Sequence, residues 1–493
     1  MPIHSFPSPV PAARTALTAT LAIALAACGG GGPSDRGPIA GPSPTPVPSP
    51  TTTPTPPPPP TGTCAIQNQL QFADDVLEEW YLFPDLLADV DPAAFNSVQG
   101  FLDARVAPAR AQRRDVGFTF ATSIEEENEL INSGSSAGFG IRLNYDTVNN
   151  RVFVLEAFEN GPAFDAGFDR GVELLAIGTN GSNLESVGAL LASGGVGAVV
   201  NALGPSDPGV TRTLRFARPD GTVITATVTK EEFALDPISD RYGARIISDG
   251  SRTVGYVNLR TFIIADAADQ LREAFALFNA NDVTELVLDF RYNGGGLVSV
   301  AETLGDLLGK GLEGQVFSET ILRPEKSEFN DTALFRAEPN ALRPEKIAFI
   351  TTDASASASE LVVNAMLPYF EPEDIAIIGQ NTSGKPVGQF AFDLEECDLR
   401  IRAVTFRTVN ANGNGEYFNG LADVVPNTCR ADDDFTRQLG DPAEDSLATA
   451  LSFLRGESCT PIASSITAQS VRGRKMLTPA NRSAAQWQIP GLF

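Results

Sequence analysis

Residues 353–389 read DASASASELVVNAMLPYFEPEDIAIIGQNTSGKPVGQ, and the rest of the chain is organised around this stretch. Its alternating serines and alanines lead into apolar residues at helical spacing, and the strand-like run IAIIG follows. A turn of small residues that opens a helix can expose a serine hydroxyl, while the unpaired amides of the helix N-terminus can face an oxyanion. Ser355, Ser357 and Ser359 are therefore candidate nucleophiles, and Lys385 follows them in a glycine-flanked turn.

Histidine is almost absent from the chain, which limits the kinds of catalytic site that the protein can contain. The single histidine, His4, lies in a segment that we interpret below as a cleaved signal. Sites of the Ser-His-Asp, Cys-His and HExxH zinc types are therefore excluded. A serine nucleophile would need a lysine, a carboxylate or an N-terminal amine as its base. Lys385 alone among the lysines lies between glycines and uncharged residues, where desolvation can lower the pKa of an amine towards neutrality.

The same stretch has two other interpretations. Residues 379–385 read GQNTSGK and fit the GxxxxGK pattern of a phosphate-binding loop, but Pro386 stands where the magnesium-binding Ser or Thr belongs. The plainest alternative is that the serines only cap a helix. Neither a GxSxG elbow nor an SxxK pattern accompanies the serines.

Residues 1–27 are typical of a secretory signal, because Arg14 precedes the apolar run LTATLAIALAA, which is too short to span a bilayer. The run leads to Leu25-Ala26-Ala27-Cys28, which resembles the lipobox of bacterial lipoproteins, whose cysteine is lipidated after cleavage. An ordinary signal followed by a chance cysteine is the alternative. Gly29 resembles the outer-membrane sorting pattern, so in a Gram-negative host the protein would face the periplasm from that membrane.

Residues 28–63 are rich in Pro, Thr and Gly and cannot bury a core, so we expect a disordered tether. At about 3.1 Å per residue, polyproline conformation would hold a folded domain on the order of 90 Å from a membrane. The formal net charge of −25 excludes nucleic acid and anionic membrane surfaces as favoured partners. The lipid is therefore the only membrane contact that we expect.

The cysteine count fits an exported protein. Apart from Cys28, the chain has Cys64, Cys397, Cys429 and Cys459, and an even number in an oxidising compartment predicts two disulfides. We favour Cys397–Cys429, which brackets one segment, and Cys64–Cys459, which would join the ends of the folded region. Four free thiols are the alternative, and the lack of CxxC pairs and of further histidines argues against a metal site.

About 400 residues remain, which is too many for one core and predicts two or three domains. Residues 64–122 have apolar positions at helical spacing and carry no assigned chemistry, so we interpret them as a packing or dimerisation subdomain. The sequence therefore leaves open whether the protein forms a homo-oligomer.

Residues 460–493 are polar and poorly patterned, and we expect a disordered tail. The alternative is that its apolar end enters a peptide groove or the active site of the protein itself.

Residues 123–232 alternate strands with turns. Within them, Gly138, Phe139, Gly140 and Ile141 resemble the carboxylate-binding loop of PDZ domains, and residues 161–181 resemble a second PDZ stretch. The resemblance implies a groove that binds a peptide by strand addition and collects its carboxylate on backbone amides. A small β domain without a ligand is the alternative.

Residues 233–459 alternate strands and helices, which predicts an α/β layer domain. Residues 289–296 read DFRYNGGG, residues 357–360 read SASE and residues 382–389 read TSGKPVGQ. In this order they resemble the signature stretches of the carboxyl-terminal processing proteases, the tail-specific S41-type serine peptidases. The resemblance covers roughly 65–455 and implies a multidomain α+β protein with an N-terminal helical region, a PDZ-like β domain and an α/β, crotonase/ClpP-like layered protease core.

The resemblance also assigns roles. It makes Ser357 the nucleophile, Lys385 the general base and Gln389 the residue that orients the ammonium, while Gly295 and Ala358 supply the oxyanion amides. Gly294 replaces a proline that is common in the family, and Pro368 stands where some members have an aspartate. Neither departure removes the Ser-Lys dyad.

The implied reaction is hydrolysis of exported proteins with apolar C-termini, without a metal or another cofactor. Some relatives of the fold only bind ligands, so a non-catalytic peptide- or ligand-binding lipoprotein on the same scaffold is the alternative.

Overall fold

The computed structural model describes residues 64–146, 148–463 and 474–493. The predicted signal peptide, Cys28 and the tether lie outside the described residues. Within the described ranges, no helix has the length and apolar character that crossing a membrane requires.

The helices of the described ranges follow the apolar periodicity of the sequence. In the first of them, Leu70, Ala73 and Leu77 form the buried face, and the helix ends before Pro84. The helices are α1 (Ile66–Trp80), α2 (Val98–Arg105), α3 (Ala107–Ala111), α4 (Ile124–Ser133), α5 (Pro162–Asp165), α6 (Val187–Leu203, kinked at Gly195), α7 (Ala267–Ala280), α8 (Val298–Leu308), α9 (Ala358–Met366), α10 (Asp445–Leu454) and α11 (Ala484–Gln488).

The strands of the same ranges form three larger sheets and one two-stranded sheet. They are β1 (Phe120–Thr122), β2 (Ser135–Gly138), β3 (Ile141–Asp146), β4 (Arg151–Ala157), β5 (Glu173–Gly178), β6 (Glu185–Ser186), β7 (Thr211–Ala217), β8 (Val223–Thr229), β9 (Glu231–Ala234), β10 (Ala244–Asp249), β11 (Arg252–Asn258), β12 (Glu285–Asp289), β13 (Val316–Leu322), β14 (Asp331–Leu334), β15 (Lys346–Thr351), β16 (Ile375–Gly379), β17 (Val387–Leu394), β18 (Leu399–Val409), β19 (Asn427–Arg430) and β20 (Arg474–Met476).

The central sheet has the order β10-β11-β12-β15-β16-β19 and is parallel except for its antiparallel edge strand β10. One face packs on α7, α8 and α9, and the other face packs on α10. Strands buried on both faces read as continuous apolar runs, as IAIIG does. Because β12 and β15 are parallel neighbours, the loops that follow them leave the sheet side by side.

The second sheet is antiparallel, with the order β1-β18-β13-β14 and β17 also paired to β18. Helices α1 and α2 cover it, and their apolar residues share one core with those of β18. The bonds Cys64–Cys397 and Cys429–Cys459 join cysteines whose Cα atoms are 5.3 Å apart in each pair. Our preferred pairing was therefore wrong, because Cys64 meets the turn between β17 and β18 and Cys459 returns beside β19.

The third sheet is antiparallel, with the order β20-β3-β4-β5-β7-β8 and β6 paired to β5. Helix α6 packs over it, and β2 pairs with β9 beside it. Strand β20 belongs to the chain end that we expected to be disordered, and that expectation is wrong for residues 474–493. Residues 464–473 of the same predicted tail lie outside the described residues.

Candidate active site

The three candidate serines have different environments. Ser355 Oγ donates to the carbonyl of Phe290 at 2.8 Å, and Ser359 Oγ donates to the carbonyl of Asn293 at 3.0 Å. Both of these serines are buried, whereas Ser357 is only partly buried. Buried hydroxyls that satisfy backbone carbonyls hold the loop together, so Ser357 is the serine best placed to react.

Ser357 stands at the N-cap of α9 with φ at 54° and ψ at −116°. A positive φ is unusual for a residue with a side chain and costs on the order of 1–3 kcal/mol, so the surrounding structure must hold it. Such a sharp turn at a helix start projects the side chain beside the first amides of the helix. Ala358, a predicted oxyanion donor, is the first residue of α9.

Glu360 joins the two halves of the site. Its Oε2 accepts from the backbone N–H groups of Ser357 at 3.0 Å and Lys385 at 2.8 Å, while its Oε1 accepts from that of Gly384 at 2.8 Å. Burial raises the pKa of the Glu360 carboxyl, although the Thr382 hydroxyl and the backbone donors oppose that rise. We did not assign Glu360, yet the capping-box spacing Ser-x-x-Glu from Ser357 could have identified it.

Lys385 is a partly buried amine with an anchored neighbour. Its Nζ donates to Gln389 Oε1 at 2.9 Å, and Gln389 Nε2 donates to the carbonyl of Phe118 at 2.5 Å. Desolvation lowers the pKa of Lys385 to about 8, and the charges of Asp115 and Glu360 partly oppose this change. The predicted base and the predicted orienting residue are therefore in contact, and near pH 8 a large fraction of the lysine is neutral.

The N-terminal region supplies part of the site, although we assigned it no chemistry. The Phe118 ring lies 5.1 Å from Lys385 Nζ. Asp115 is fully buried and accepts from the hydroxyls of Tyr81 and Thr119 and from two backbone amides. These residues lie more than 260 positions before Lys385, and no local pattern marked them.

The glycine triplet lies directly against the serine turn. A Cβ at Gly295 would lie 2.6 Å from the Cβ of Ser357, and Gly295 has φ at 105°, so only glycine fits there. The predicted oxyanion amide of Gly295 donates to Asn293 Oδ1 at 3.0 Å in this structure. It would have to leave that acceptor in order to bind a substrate oxygen.

A buried charge network supports the strand before the triplet. The guanidinium of Arg291 donates to both carboxylate oxygens of Glu444, at 2.8 and 2.9 Å, and also pairs with Asp289. The next residue, Tyr292, has φ at 65° and accepts at its hydroxyl from Arg170, in the loop before β5, at 2.9 Å. The network therefore connects the β domain to the loop that carries Gly295.

The predicted peptide loop lies between β2 and β3. Gly138 ends β2, Gly140 has φ at 73° and packs on Gly161, and Phe139 and Ile141 are fully buried. The loop therefore leads into β3, which lies between β20 and β4 in the third sheet.

Part of the chain is similar to known proteins. Residues 253–425 match the family model described as peptidase family S41, and this range contains Gly295, Ser357, Lys385 and Gln389. A chloroplastic C-terminal processing peptidase from Tetradesmus obliquus is 29% identical over 278 residues, which cover 54% of this chain and 54% of that protein. A carboxyl-terminal-processing protease from Picosynechococcus sp. is 26% identical over 271 residues, which cover 54% of this chain and 59% of that protein. The chain thus spans somewhat more than half the length of these relatives.

The fold also has a solved counterpart. A protein from Bacteroides fragilis assigned to the S41 proteases superposes with a TM-score of 0.60 at 23% sequence identity. The superposition covers 78% of this chain and 97% of that one, so the two share a fold over most of their lengths.

Proposed function

We propose that the protein, whose residues 253–425 match the family model described as peptidase family S41, is a serine endopeptidase of the carboxyl-terminal processing type. The observation that carries this proposal is the shared acceptor Glu360, which ties the backbone of Ser357 to the backbone of Lys385. We infer that Ser357, a partly exposed serine at a helix N-terminus, and Lys385, a desolvated lysine, act together in one site.

In the proposed mechanism, neutral Lys385 accepts the proton of Ser357 Oγ as that oxygen attacks a peptide carbonyl. The oxyanion is stabilised by the amide of Ala358 and by that of Gly295 once it leaves Asn293 Oδ1. The lysine then returns the proton to the leaving amine, and it activates a water that hydrolyses the acyl-enzyme. Gln389 holds the amine in position throughout, because it is itself anchored on Phe118.

We assign the β domain, built on the third sheet, a role in substrate recognition. Strand β3, on its side away from β4, and the loop at residues 138–141 would bind the C-terminal residues of a protein substrate by strand addition. The apolar residues around the loop, Phe139, Ile141 and Val199, favour a tail with apolar last residues.

We also propose that the protein is exported and lipid-anchored at Cys28. The Leu25–Cys28 sequence, the tether and the two disulfides support this location. The substrates would then be exported proteins within reach of the tether.

The test compares wild type, Ser357→Ala and Lys385→Ala on an unfolded protein with an apolar C-terminal tail and on the same protein with a charged tail. We expect cleavage by wild type alone, and faster cleavage of the apolar tail. Ser327→Ala and Lys310→Ala are the matched controls, since both residues are exposed and neither is assigned to the site. Cleavage that survives in both Ser357→Ala and Lys385→Ala would refute the proposed dyad.

A further inference from the structure

The edge of β3 is covered by the far end of the chain. Residues Arg474–Met476 pair antiparallel with Asn144–Asp146 of β3. After an excursion, the chain returns and pairs with the beginning of the same strand: Leu143 N–H donates to the carbonyl of Gly491 at 2.8 Å, and Ile141 N–H donates to that of Phe493 at 3.2 Å. Phe493 N–H donates back to Ile141 at 2.9 Å. These are the hydrogen bonds of a strand added to a sheet edge.

The side chains of this added strand are buried. Phe493 is 2% exposed and lies in the same apolar cluster as Phe139, Ile141 and Val199. Leu492 is also 2% exposed and packs in a second cluster. Burial of two large apolar side chains stabilises the contact between this strand and the β domain.

The glycine loop fits the backbone of this segment closely. A Cβ at Gly138 would lie 2.8 Å from the carbonyl carbon of Phe493 and 3.1 Å from its oxygen. The next nearest atom, outside the adjoining residues, would be Gly140 N at 3.8 Å, which is an ordinary van der Waals distance. The absence of a side chain at Gly138 is therefore required by the occupant of the groove and not by the packing of the β domain.

The segment also reaches the catalytic loop. Gly294, next to the predicted oxyanion glycine, lies where a Cβ would be 3.1 Å from the carbonyl oxygen of Gln488 and 3.3 Å from Pro490. Trp487 stacks on Phe120 with ring centroids 4.5 Å apart. The same chain segment that occupies the groove therefore also packs against Gly294, beside Gly295.

We propose that residues 484–493, here called the tail segment, are an intramolecular ligand of the β3 groove that competes with substrate tails; this rests on the proposed function. The groove takes extended peptides with two adjacent apolar residues in the register that Leu492 and Phe493 occupy. A substrate must displace the tail segment from β3 and from Gly294 before it can reach Ser357.

The test measures binding of a fluorescent synthetic peptide with the sequence AAQWQIPGLF, by anisotropy, to full-length protein carrying Ser357→Ala so that nothing is cleaved. We expect at least tenfold tighter binding when Leu492→Asp and Phe493→Asp are added, because the groove is then vacant. Gly491→Val is the second variant, since its φ of 78° and the nearby Leu143 carbonyl leave no room for a side chain. A peptide ending in two aspartates should not bind.

A third variant locates the binding site. Gly138→Ala, added to the tail variant, should abolish peptide binding, while Gly181→Ala should not, because a Cβ at Gly181 would meet no atom within 4 Å. Thermal unfolding verifies that each variant is folded. Equal affinity in folded proteins with and without the tail substitutions would overturn the proposal, as would the absence of binding to every form.

The outcome is separable from that of the proposed function. Tighter peptide binding by the tail variants, together with no cleavage by any protein that retains Ser357, would support the intramolecular ligand and refute the peptidase. Cleavage by wild type, together with a peptide affinity that the tail substitutions do not change, would support the peptidase and refute the intramolecular ligand.

Discussion

Ser357 and Lys385 donate their backbone N–H groups to the same oxygen of Glu360, at 3.0 and 2.8 Å. Twenty-eight positions separate them in sequence, from 357 to 385. One buried carboxylate therefore sets the relative positions of the proposed nucleophile and base. It touches neither reacting atom, so it is a positioning residue.

Two substitutions of Glu360 should distinguish its effect on stability from its effect on the positions of Ser357 and Lys385. Glu360→Ala leaves three buried amides without their acceptor, which should lower the free energy of unfolding by about 3 kcal/mol or more. Glu360→Gln keeps one acceptor oxygen and should remain folded while kcat falls by about tenfold and KM changes little. Steady-state kinetics and thermal melts measure both. An unchanged kcat in folded Glu360→Gln would show that the link is not needed.

The pKa of Lys385 predicts the pH dependence of the reaction. The base must be neutral, so kcat/KM should rise with pH and level off above about pH 8, where the amine has lost its proton. The charge of Asp115 raises the pKa of Lys385, so Asp115→Asn should move the midpoint to lower pH. Asp89→Asn, at an exposed position, is the control. A midpoint that stays in place, or moves to higher pH, in Asp115→Asn would contradict this assignment.

Gln389 should affect catalysis through its contact with Lys385. Gln389→Ala removes the acceptor at 2.9 Å from Nζ, and we expect kcat to fall by about ten- to a hundredfold through loss of orientation. Gln389→Glu places a negative charge beside the ammonium and should shift the pH profile to higher pH. A profile of Gln389→Glu identical to that of wild type would argue that the two side chains do not meet during catalysis.

The Cys64–Cys397 bond should stabilise the protein without taking part in the reaction. It closes a loop with a sequence separation of 333 and ties α1 to the sheet that carries Gln389. Replacing both cysteines by serine should lower the free energy of unfolding by about 2–4 kcal/mol and leave kcat unchanged at 25 °C. Denaturant unfolding measures the loss. Non-reducing peptide mapping should find Cys64 joined to Cys397, and a Cys397–Cys429 peptide would contradict the structure.

The sequence predicts best what depends on local pattern. The buried strand IAIIG, the helix after Ser357 and the layered core at residues 233–459 follow from apolar periodicity. The assignments of Ser357, Lys385 and Gln389 depended on three short stretches in order. The contact of Lys385 with Gln389 is the one that this assignment predicts, although Gln389 lies in a strand and not in a helix.

Local sequence patterns could not predict the contacts between segments that are distant in sequence. Asp115 and Phe118 approach Lys385 only because β1, two residues after Phe118, pairs with β18. The disulfide pairing was wrong because both pairs depend on how strands bring remote turns together. The polar composition of residues 460–493 suggested disorder, yet a few apolar residues at 489–493 are ordered by the groove that receives them.

The most direct test of the central claim is covalent labelling of the tail variant (Leu492→Asp and Phe493→Asp) with a serine-reactive fluorophosphonate, followed by peptide mass spectrometry. The account predicts one adduct, on Ser357, that is absent in Ser357→Ala and forms at least a hundredfold more slowly in Lys385→Ala. Folded protein that carries no adduct on Ser357, or that labels equally fast without Lys385, would contradict the Ser-Lys mechanism.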